Sequence, residues 1–233
     1  MPVNPYVVSL RNVSKSFGAL PVIERFTLDV QAGSIVALVG PSGVGKSTLL
    51  KLVAGVIKPD AGSVKVSATR MGYVFQEPRL LPWRTARENV AVALRAAGRT
   101  KSEARREAAE WLGRVRLEGF EDYYPGQLSG GMMQRVALAR AYAAEPGLVL
   151  MDEPFSSLDA ALKSELLGLI GPLIAGGGTT VLYVTHDLPE ALRLADRIVE
   201  LVPGGAIKEL DVQDREELLH RWVGALLAGR EWV

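Results

Sequence analysis

A glycine-rich loop between an apolar strand and a helix constrains the fold of this 233-residue chain most strongly. The run Ile35-Val-Ala-Leu-Val39 is uniformly apolar, which is typical of a strand buried on both faces of a sheet. It leads directly into Gly40-Pro-Ser-Gly-Val-Gly-Lys-Ser47, and a helix is predicted from Lys46 to about Ala54. A strand, a glycine loop and a helix in this order predict an α/β fold.

The glycine loop fits the pattern G-x-x-x-x-G-K-[ST] in the context that this pattern requires. Glycines let successive backbone amides face phosphate oxygens, and the helix N-terminus adds partial positive charge. We expect Lys46 to reach the β- and γ-phosphates and Ser47 to hold Mg²⁺; the alternative is a glycine turn that matches by chance. The predicted nucleotide-binding residues are Gly40, Pro41, Ser42, Gly43, Val44, Gly45, Lys46, Ser47 and Thr48.

Two adjacent carboxylates, Asp152 and Glu153, follow the apolar run Leu148–Met151. Burying both without partners would cost several kcal/mol, so we expect them at the carboxyl end of a strand, where open α/β sheets bind ligands. Asp152 is predicted to hold Mg²⁺ directly or indirectly. Glu153 is the predicted base that orients the attacking water. A surface pair that merely ends a strand is the alternative.

The remaining pattern predicts one domain over residues 1–233 with a helical subdomain inserted at roughly 84–145. Thr85 with Glu88, and Thr100 with Glu103, have capping-box spacing, and the basic residues from Arg99 to Arg106 are read as a solvated helix face. Buried-strand patterns then alternate with helices, which predicts a mostly parallel sheet. Further strands are expected at Tyr6–Val13, Phe26–Val30, Ser63–Ser67, Met71–Phe75, Val181–Thr185 and Arg197–Leu201, and helices at Ala160–Ala175, Leu188–Leu194 and after Asp214.

Composition excludes several classes of function. The chain carries 27 Lys and Arg against 26 Asp and Glu, so no strong field attracts nucleic acid. It has no cysteine, which excludes disulfides and thiolate metal sites and fits a reducing cytosol. The N-terminus lacks the layout of a signal peptide, and charged residues and glycines interrupt the apolar region at 160–178. We therefore expect a cytoplasmic protein whose association with a membrane, if any, is peripheral.

The segment Leu128-Ser-Gly-Gly-Met-Met-Gln-Arg135 supplies a second candidate anion site. Ser129 stands where a helix N-cap is expected, and the glycines leave backbone amides accessible. An ordinary helix cap explains the same residues.

Taken together, these motifs resemble those of ATP-binding cassette (ABC) ATPases. Gly40–Thr48, Gln76, Leu128–Gln134, Leu148–Glu153 and Ser157–Asp159 occur in that family's order, followed by His186. The resemblance covers nearly the whole chain and implies a P-loop NTPase core, an N-terminal antiparallel β subdomain and an inserted helical subdomain. It also implies a head-to-tail homodimer, in which Ser129, Gly130 and Gly131 of one subunit close over ATP bound to the other.

The resemblance assigns four further roles. Phe17 matches the aromatic that stacks on adenine, although a core position is the alternative. Gln76 would sense the γ-phosphate through Mg²⁺ or the water, and His186 would contact the γ-phosphate and help Glu153 hold the water. Asp159 would lie at the dimer seam and couple the two ATP sites. The second histidine, His220, is read as structural.

The segment Gln76–Thr85 narrows the expectation to importers. Its Leu-Leu-Pro-Trp sequence resembles ATPases that import nitrate, taurine, alkanesulfonates or thiamin-pyrimidine precursors. Trp83 is compatible with a docking surface for a membrane subunit and equally with the core. Met132 departs from the family, which usually has Gln directly after LSGG.

The predicted function is that of an Mg-dependent ATPase subunit at the cytoplasmic face of the membrane. Its expected partners are a second copy, transmembrane permease subunits and, indirectly, an external substrate-binding protein. A non-transport ABC ATPase that remodels or regulates a protein complex is the main alternative. A P-loop kinase is a second alternative, which the segment Leu128–Arg135 disfavours.

Overall fold

The computed structural model describes residues 5–156, 158–175, 178–202 and 207–227. The strands in these ranges are β1 (Tyr6–Phe17), β2 (Leu20–Gln31), β3 (Ile35–Val39), β4 (Ala61–Val66), β5 (Met71–Val74), β6 (Leu148–Asp152), β7 (Thr180–Thr185), β8 (Arg197–Leu201) and β9 (Ile207–Leu210). The helices are α1 (Lys46–Val53), α2 (Ala86–Ala96), α3 (Lys101–Arg114), α4 (Gly130–Ala143), α5 (Ala160–Ala175), α6 (Leu188–Leu194) and α7 (Arg215–Leu227). A 3₁₀ turn spans Pro125–Gln127.

The chain divides into two compact units. The first contains the described residues within Met1–Ala68 and Gly177–Val233, and the second contains those within Thr69–Gly176. Among the described residues, no helix has both the length and the apolar character needed to cross a bilayer.

In the first unit, the uniformly apolar strand β3 lies at the centre of a parallel arrangement. It pairs with β7 on one side and β8 on the other, and Val36–Val39 are buried. Strand β9 adds an antiparallel edge next to β8. A separate antiparallel sheet has the order β2-β1-β4. The α/β core with an N-terminal antiparallel sheet is therefore confirmed.

Two strands of the antiparallel sheet are longer than predicted. β1 continues beyond Val13 to Phe17, and β2 begins at Leu20 instead of Phe26. The register between them shifts near Asn12 and Arg25, whose φ angles are +47° and +48°. Such irregularities interrupt the alternation of apolar and polar residues, so the sequence pattern identifies only part of each strand. β9 was not predicted because its Ile-Lys-Glu-Leu sequence is short and has two charged residues in the middle.

The second unit contains a parallel pair, β5 and β6, and the helices α2 to α5. Helices α2, α3 and α4 enclose one apolar core, which includes Val90, Leu94, Leu112 and Val136. Both predicted capping boxes are present, since Thr85 and Thr100 each exchange two hydrogen bonds with the Glu three residues later. The expected helices between residues 84 and 145 are therefore confirmed.

Candidate functional site

The predicted phosphate loop connects the carboxyl end of β3 to the N-terminus of α1. Lys46 is only 5% exposed, and its Nζ donates to the carbonyl oxygens of Gly40 at 2.7 Å and Pro41 at 2.9 Å. Ser42 and Gly43 are exposed, whereas Ser47 and Thr48 in the first turn of α1 are half-buried. The lysine thus folds back over a loop whose tip remains accessible.

The backbone of this loop requires glycine. Gly40, Gly43 and Gly45 all have positive φ, and Gly45 has φ +106° as the N-cap of α1. A Cβ at Gly45 would lie 2.6 Å from Cδ1 of Ile23 on β2. A side chain there would therefore clash with the neighbouring sheet as well as strain the backbone.

His186 follows β7 in the same unit as the phosphate loop. Because β3 and β7 are parallel and Val39 pairs with Thr185, Gly40 and His186 leave the sheet at the same edge. The His186 side chain is exposed. Asp187 ends the turn by accepting the Glu190 amide at 3.1 Å as the N-cap of α6. The first unit thus places His186 and the phosphate loop at neighbouring strand ends.

Phe17 and His220 also lie in the first unit. Phe17 ends β1 and is 52% exposed, so the core alternative for it is wrong. The Nζ of Lys15 lies 5.7 Å from the centroid of its ring. His220 is exposed on α7.

Asp152 and Glu153 lie at the carboxyl end of β6 in the second unit, and both are half-buried. The Tyr73 hydroxyl donates to Oδ2 of Asp152 at 3.5 Å. Burial, followed by the charge of Asp152, raises the pKa of Tyr73 well above its usual value, so Tyr73 stays a donor. Glu153 has φ +46°, a left-handed conformation that is rare outside glycine and costs of order 1 kcal/mol. The candidate base therefore occupies a strained backbone position.

Gln76 lies beside this acidic strand end. It follows β5, which pairs with β6 so that Val74 lies opposite Met151. Gln76 Nε2 donates to Oγ of Ser156 at 3.3 Å, and that hydroxyl donates to the backbone carbonyl of Glu153 at 3.1 Å. The structure thus connects Gln76 to the backbone of Glu153 through a single serine.

The residues predicted to contact a partner's ATP include several exposed ones. Ser129 and Gly130 are exposed, and Ser129 Oγ accepts the Met132 amide at 3.3 Å as the N-cap of α4. The helix-cap interpretation of Ser129 is therefore correct. It does not exclude a second role, because Gly130 is exposed as the first residue of α4, and a helix N-terminus can bind an anion. Asp159 is also exposed, and its Oδ1 accepts the Leu162 amide at 2.9 Å. Ser157 lies outside the described residues.

Residues 78–85 form a loop that hydrogen bonds hold in place and that exposes a tryptophan. Trp83 is 70% exposed, so the core alternative for it is wrong. Arg140 of α4 donates to the carbonyls of Pro78 at 2.9 Å and Arg79 at 3.0 Å, and burial lowers its pKa. Asn89, which is fully buried, accepts the backbone amide of Leu81 at 2.7 Å.

Sequence reasoning missed several residues that hold the site in place. Tyr73, Gln134 and Arg140 bond to atoms 79, 20 and 62 positions away, whereas Asn89 and Ser156 bond to atoms 8 and 3 positions away. Polar residues inside apolar helical patterns, as Gln134 and Asn89 are, gave the only signal for any of them.

The oxygen donors suit a small, hard cation. Ser47 in the first unit offers a hydroxyl and Asp152 in the second unit offers a carboxylate, and each is a ligand type that Mg²⁺ accepts. Within the described parts of the chain, no cluster of three or more His, Cys, Asp or Glu side chains could hold a metal by itself.

Comparison with known proteins identifies the family of the chain. Residues 23–156 match the family model described as ABC transporter. The chain is 48% identical to the aliphatic sulfonates import ATP-binding protein of Paraburkholderia xenovorans over 205 residues, which cover 87% of this chain and 81% of that protein. It is 44% identical to a sulfate/thiosulfate import ATP-binding protein of Rhizobium meliloti over 89% of this chain and 60% of that longer protein.

A solved structure shows the same architecture. It is a dimeric ATP-binding cassette in a post-hydrolysis state, bound to ADP and Pi. The TM-score is 0.77 at 33% sequence identity, and the alignment covers 88% of this chain and 99% of that chain.

Proposed function

The chain belongs to the ABC transporter family and is an ATP-binding import ATPase; from this premise, we propose that it powers the uptake of a sulfonate or a related sulfur oxyanion. The observation that carries the proposal is 48% identity to an aliphatic sulfonate import protein over 87% of this chain. The 44% identity to a sulfate/thiosulfate import protein points to the same chemical class. Both relatives support sulfur oxyanions over nitrate and thiamin-pyrimidine precursors, which the segment Gln76–Thr85 also suggests.

ATP binding rests on the loop around Lys46. Its ammonium group is satisfied by two loop carbonyls, and we infer that phosphate oxygens replace them when ATP binds. The loop amides and the N-terminus of α1 add hydrogen bonds and partial positive charge to the same oxygens. Phe17, half exposed at the end of β1, offers its ring face to the adenine.

Hydrolysis rests on Glu153 and His186. The Glu153 carboxylate would orient and polarise the attacking water, and such a group contributes typically 10²–10⁴-fold in rate. His186 would donate to the γ-phosphate and help position the same water. Gln76 donates to Ser156, and we expect this hydrogen bond to change when the γ-phosphate binds or leaves.

Ser47, Asp152 and Gln76 are the residues that would hold Mg²⁺ through their side-chain oxygens. When bound, it would neutralise charge on the phosphate oxygens. The Tyr73 hydroxyl donates to Oδ2 of Asp152 and so helps to orient this carboxylate.

The complete site needs a second copy of the chain. The solved relative is dimeric, and Ser129, Gly130 and Asp159 are exposed as contact with a partner requires. We propose that ATP on one subunit is closed over by Ser129, Gly130 and Gly131 of the other. One chain alone is then an incomplete enzyme.

The permease would dock on the helical unit near Trp83, at the cytoplasmic face of the membrane. An exposed tryptophan held on a rigid loop is a typical anchor at protein interfaces. Closing and opening of the ATP-bound dimer would move the two docked permease subunits. An external binding protein would deliver the solute to them.

Growth of the host cell tests the solute class. A strain lacking this gene should fail to grow on an alkanesulfonate as the sole sulfur source and should recover with the wild-type gene but not with Lys46→Ala. Growth on nitrate as the nitrogen source should be unaffected. A strain that grows normally on sulfonates and sulfate but poorly on nitrate would contradict the proposed solute.

A further inference from the structure

One face of α4 contacts the segment that follows the candidate base Glu153. Residues 131, 134 and 135 lie at i, i+3 and i+4 and therefore share one side of the helix. Each contacts a different part of the chain between Pro154 and Glu165. The same helix begins directly after Ser129, the residue proposed to reach the partner's ATP.

The central contact is made by Gln134. Its side chain is 2% exposed, and Nε2 donates to the carbonyl oxygen of Pro154 at 2.7 Å. That carbonyl belongs to the residue after Glu153, whose φ is +46°. A strained backbone persists only where its surroundings hold it, and the bonds from Gln134 and Ser156 supply that restraint on this loop.

Two further contacts on the same face fix α4 to the chain that follows. Gly131 packs so closely against α5 that a Cβ there would lie 2.3 Å from Cδ2 of Leu162. The Arg135 guanidinium donates to Oε2 of Glu165 at 2.8 Å, and Arg135 itself is largely buried. Helix α4 and the described parts of the 154–165 segment are thereby joined at three points.

We propose that Gln134 is a positioning residue that couples the two ATP sites of the dimer through α4. The inference rests on the proposed function, in which Glu153 acts on the ATP of its own subunit while Ser129 serves the partner's ATP. Gln134 lies five residues after Ser129, about 7.5 Å along the helix at about 1.5 Å per residue. When the N-terminus of α4 docks on the partner's ATP, it therefore sets the backbone position of Glu153, which acts on the ATP of its own subunit.

The test replaces the amide donor and follows each step of the cycle separately. Gln134→Met has a similar length but no donor, and Gln134→Asn keeps the amide but is too short to reach Pro154. Both should lower kcat for ATP hydrolysis by about 10- to 100-fold, because small misplacements of catalytic groups cost that much. The Kd for ATP should stay within about threefold, and a Hill coefficient above 1 in the wild type should fall to 1.

A second measurement separates positioning from folding. With Glu153→Gln in the background, Gln134→Met should still allow the ATP-driven dimer to form in light scattering. The matched control is Val136→Ala, which alters a buried side chain of the same helix that faces the helical core. It should lower the melting temperature but leave kcat within about twofold, since surrounding contacts to the base are unchanged.

Each alternative outcome has a distinct meaning. Unchanged kcat in both Gln134 variants would refute the positioning role, and loss of kcat together with loss of the ATP-driven dimer would show a merely structural role. A wild-type Hill coefficient of 1 would refute the coupling between sites. Wild-type protein without any ATP hydrolysis would instead overturn the proposed function itself.

Discussion

Replacing Asn89 by alanine should release the loop that displays Trp83. Asn89 is fully buried on α2, and its Oδ1 accepts the Leu81 amide at 2.7 Å. Its Nδ2 donates to the carbonyls of Leu81 at 3.2 Å, Arg84 at 3.1 Å and Thr85 at 3.0 Å. One side chain thus holds both ends of the 81–85 turn.

The size of the effect follows from these bonds. Because one amide group has two hydrogens, the three Nδ2 contacts amount to about two full bonds, which with the Oδ1 bond make about three. At about 1 kcal/mol each, plus about 1 kcal/mol for the Leu81 amide left without its acceptor, Asn89→Ala should cost about 3–4 kcal/mol. For a chain of this size that corresponds to a melting temperature lower by about 6–16 °C.

Thermal unfolding and hydrogen exchange check this prediction. The Leu81 amide should be protected from exchange in the wild type and should exchange much faster in the variant. Arg95→Ala on the exposed side of the same helix is the control and should change stability by less than about 0.5 kcal/mol. An Asn89→Ala protein within about 1 kcal/mol of the wild type, with the Leu81 amide still protected, would refute the reasoning.

Three further predictions concern nucleotide, assembly and pH. Lys46→Ala removes the buried ammonium group and should abolish measurable ATP binding in calorimetry, and retained affinity would contradict the loop assignment. The purified wild-type chain should be monomeric without ATP in light scattering, because closure depends on the nucleotide, and a stable ATP-free dimer would contradict this. The hydrogen bond from Arg11 holds the pKa of Asp29 below its ordinary value of 3.8. Because this pKa is lower in the folded state, the ionised Asp29 stabilises the fold above the unfolded pKa, and this stabilisation is lost as the pH falls through the folded pKa. Asp29→Asn should therefore make the free energy of unfolding depend less on pH below about pH 4. An unchanged acid profile would argue against the Arg11–Asp29 pair.

The sequence predicts the parts of the site that depend on neighbouring residues. The glycine loop, the capping boxes at Thr85 and Thr100, and the strand end at Asp152 all arise from contacts within a few residues. Steric and hydrogen-bonding rules at that range act in the same way in every fold. These features are therefore predictable from the sequence alone.

Contacts between distant segments explain what the sequence did not reveal. Gln134 reaches a carbonyl 20 positions away, and Arg140 reaches carbonyls 61 and 62 positions away. Trp83 has the same apolar character whether it is exposed or buried, because only its anchored loop decides which way it points. No local pattern encodes these pairings, so they required the three-dimensional structure.

The rate of phosphate release by Glu153→Gln tests the central claim most directly. If Glu153 is the base, the variant should bind ATP with nearly wild-type affinity, release phosphate at least about 100-fold more slowly and accumulate as an ATP-bound dimer. The structure favours a clean comparison, because glutamine is isosteric and leaves the carbonyl that Ser156 holds in place. Phosphate release at the wild-type rate would contradict the assignment of Glu153 and with it the account of hydrolysis.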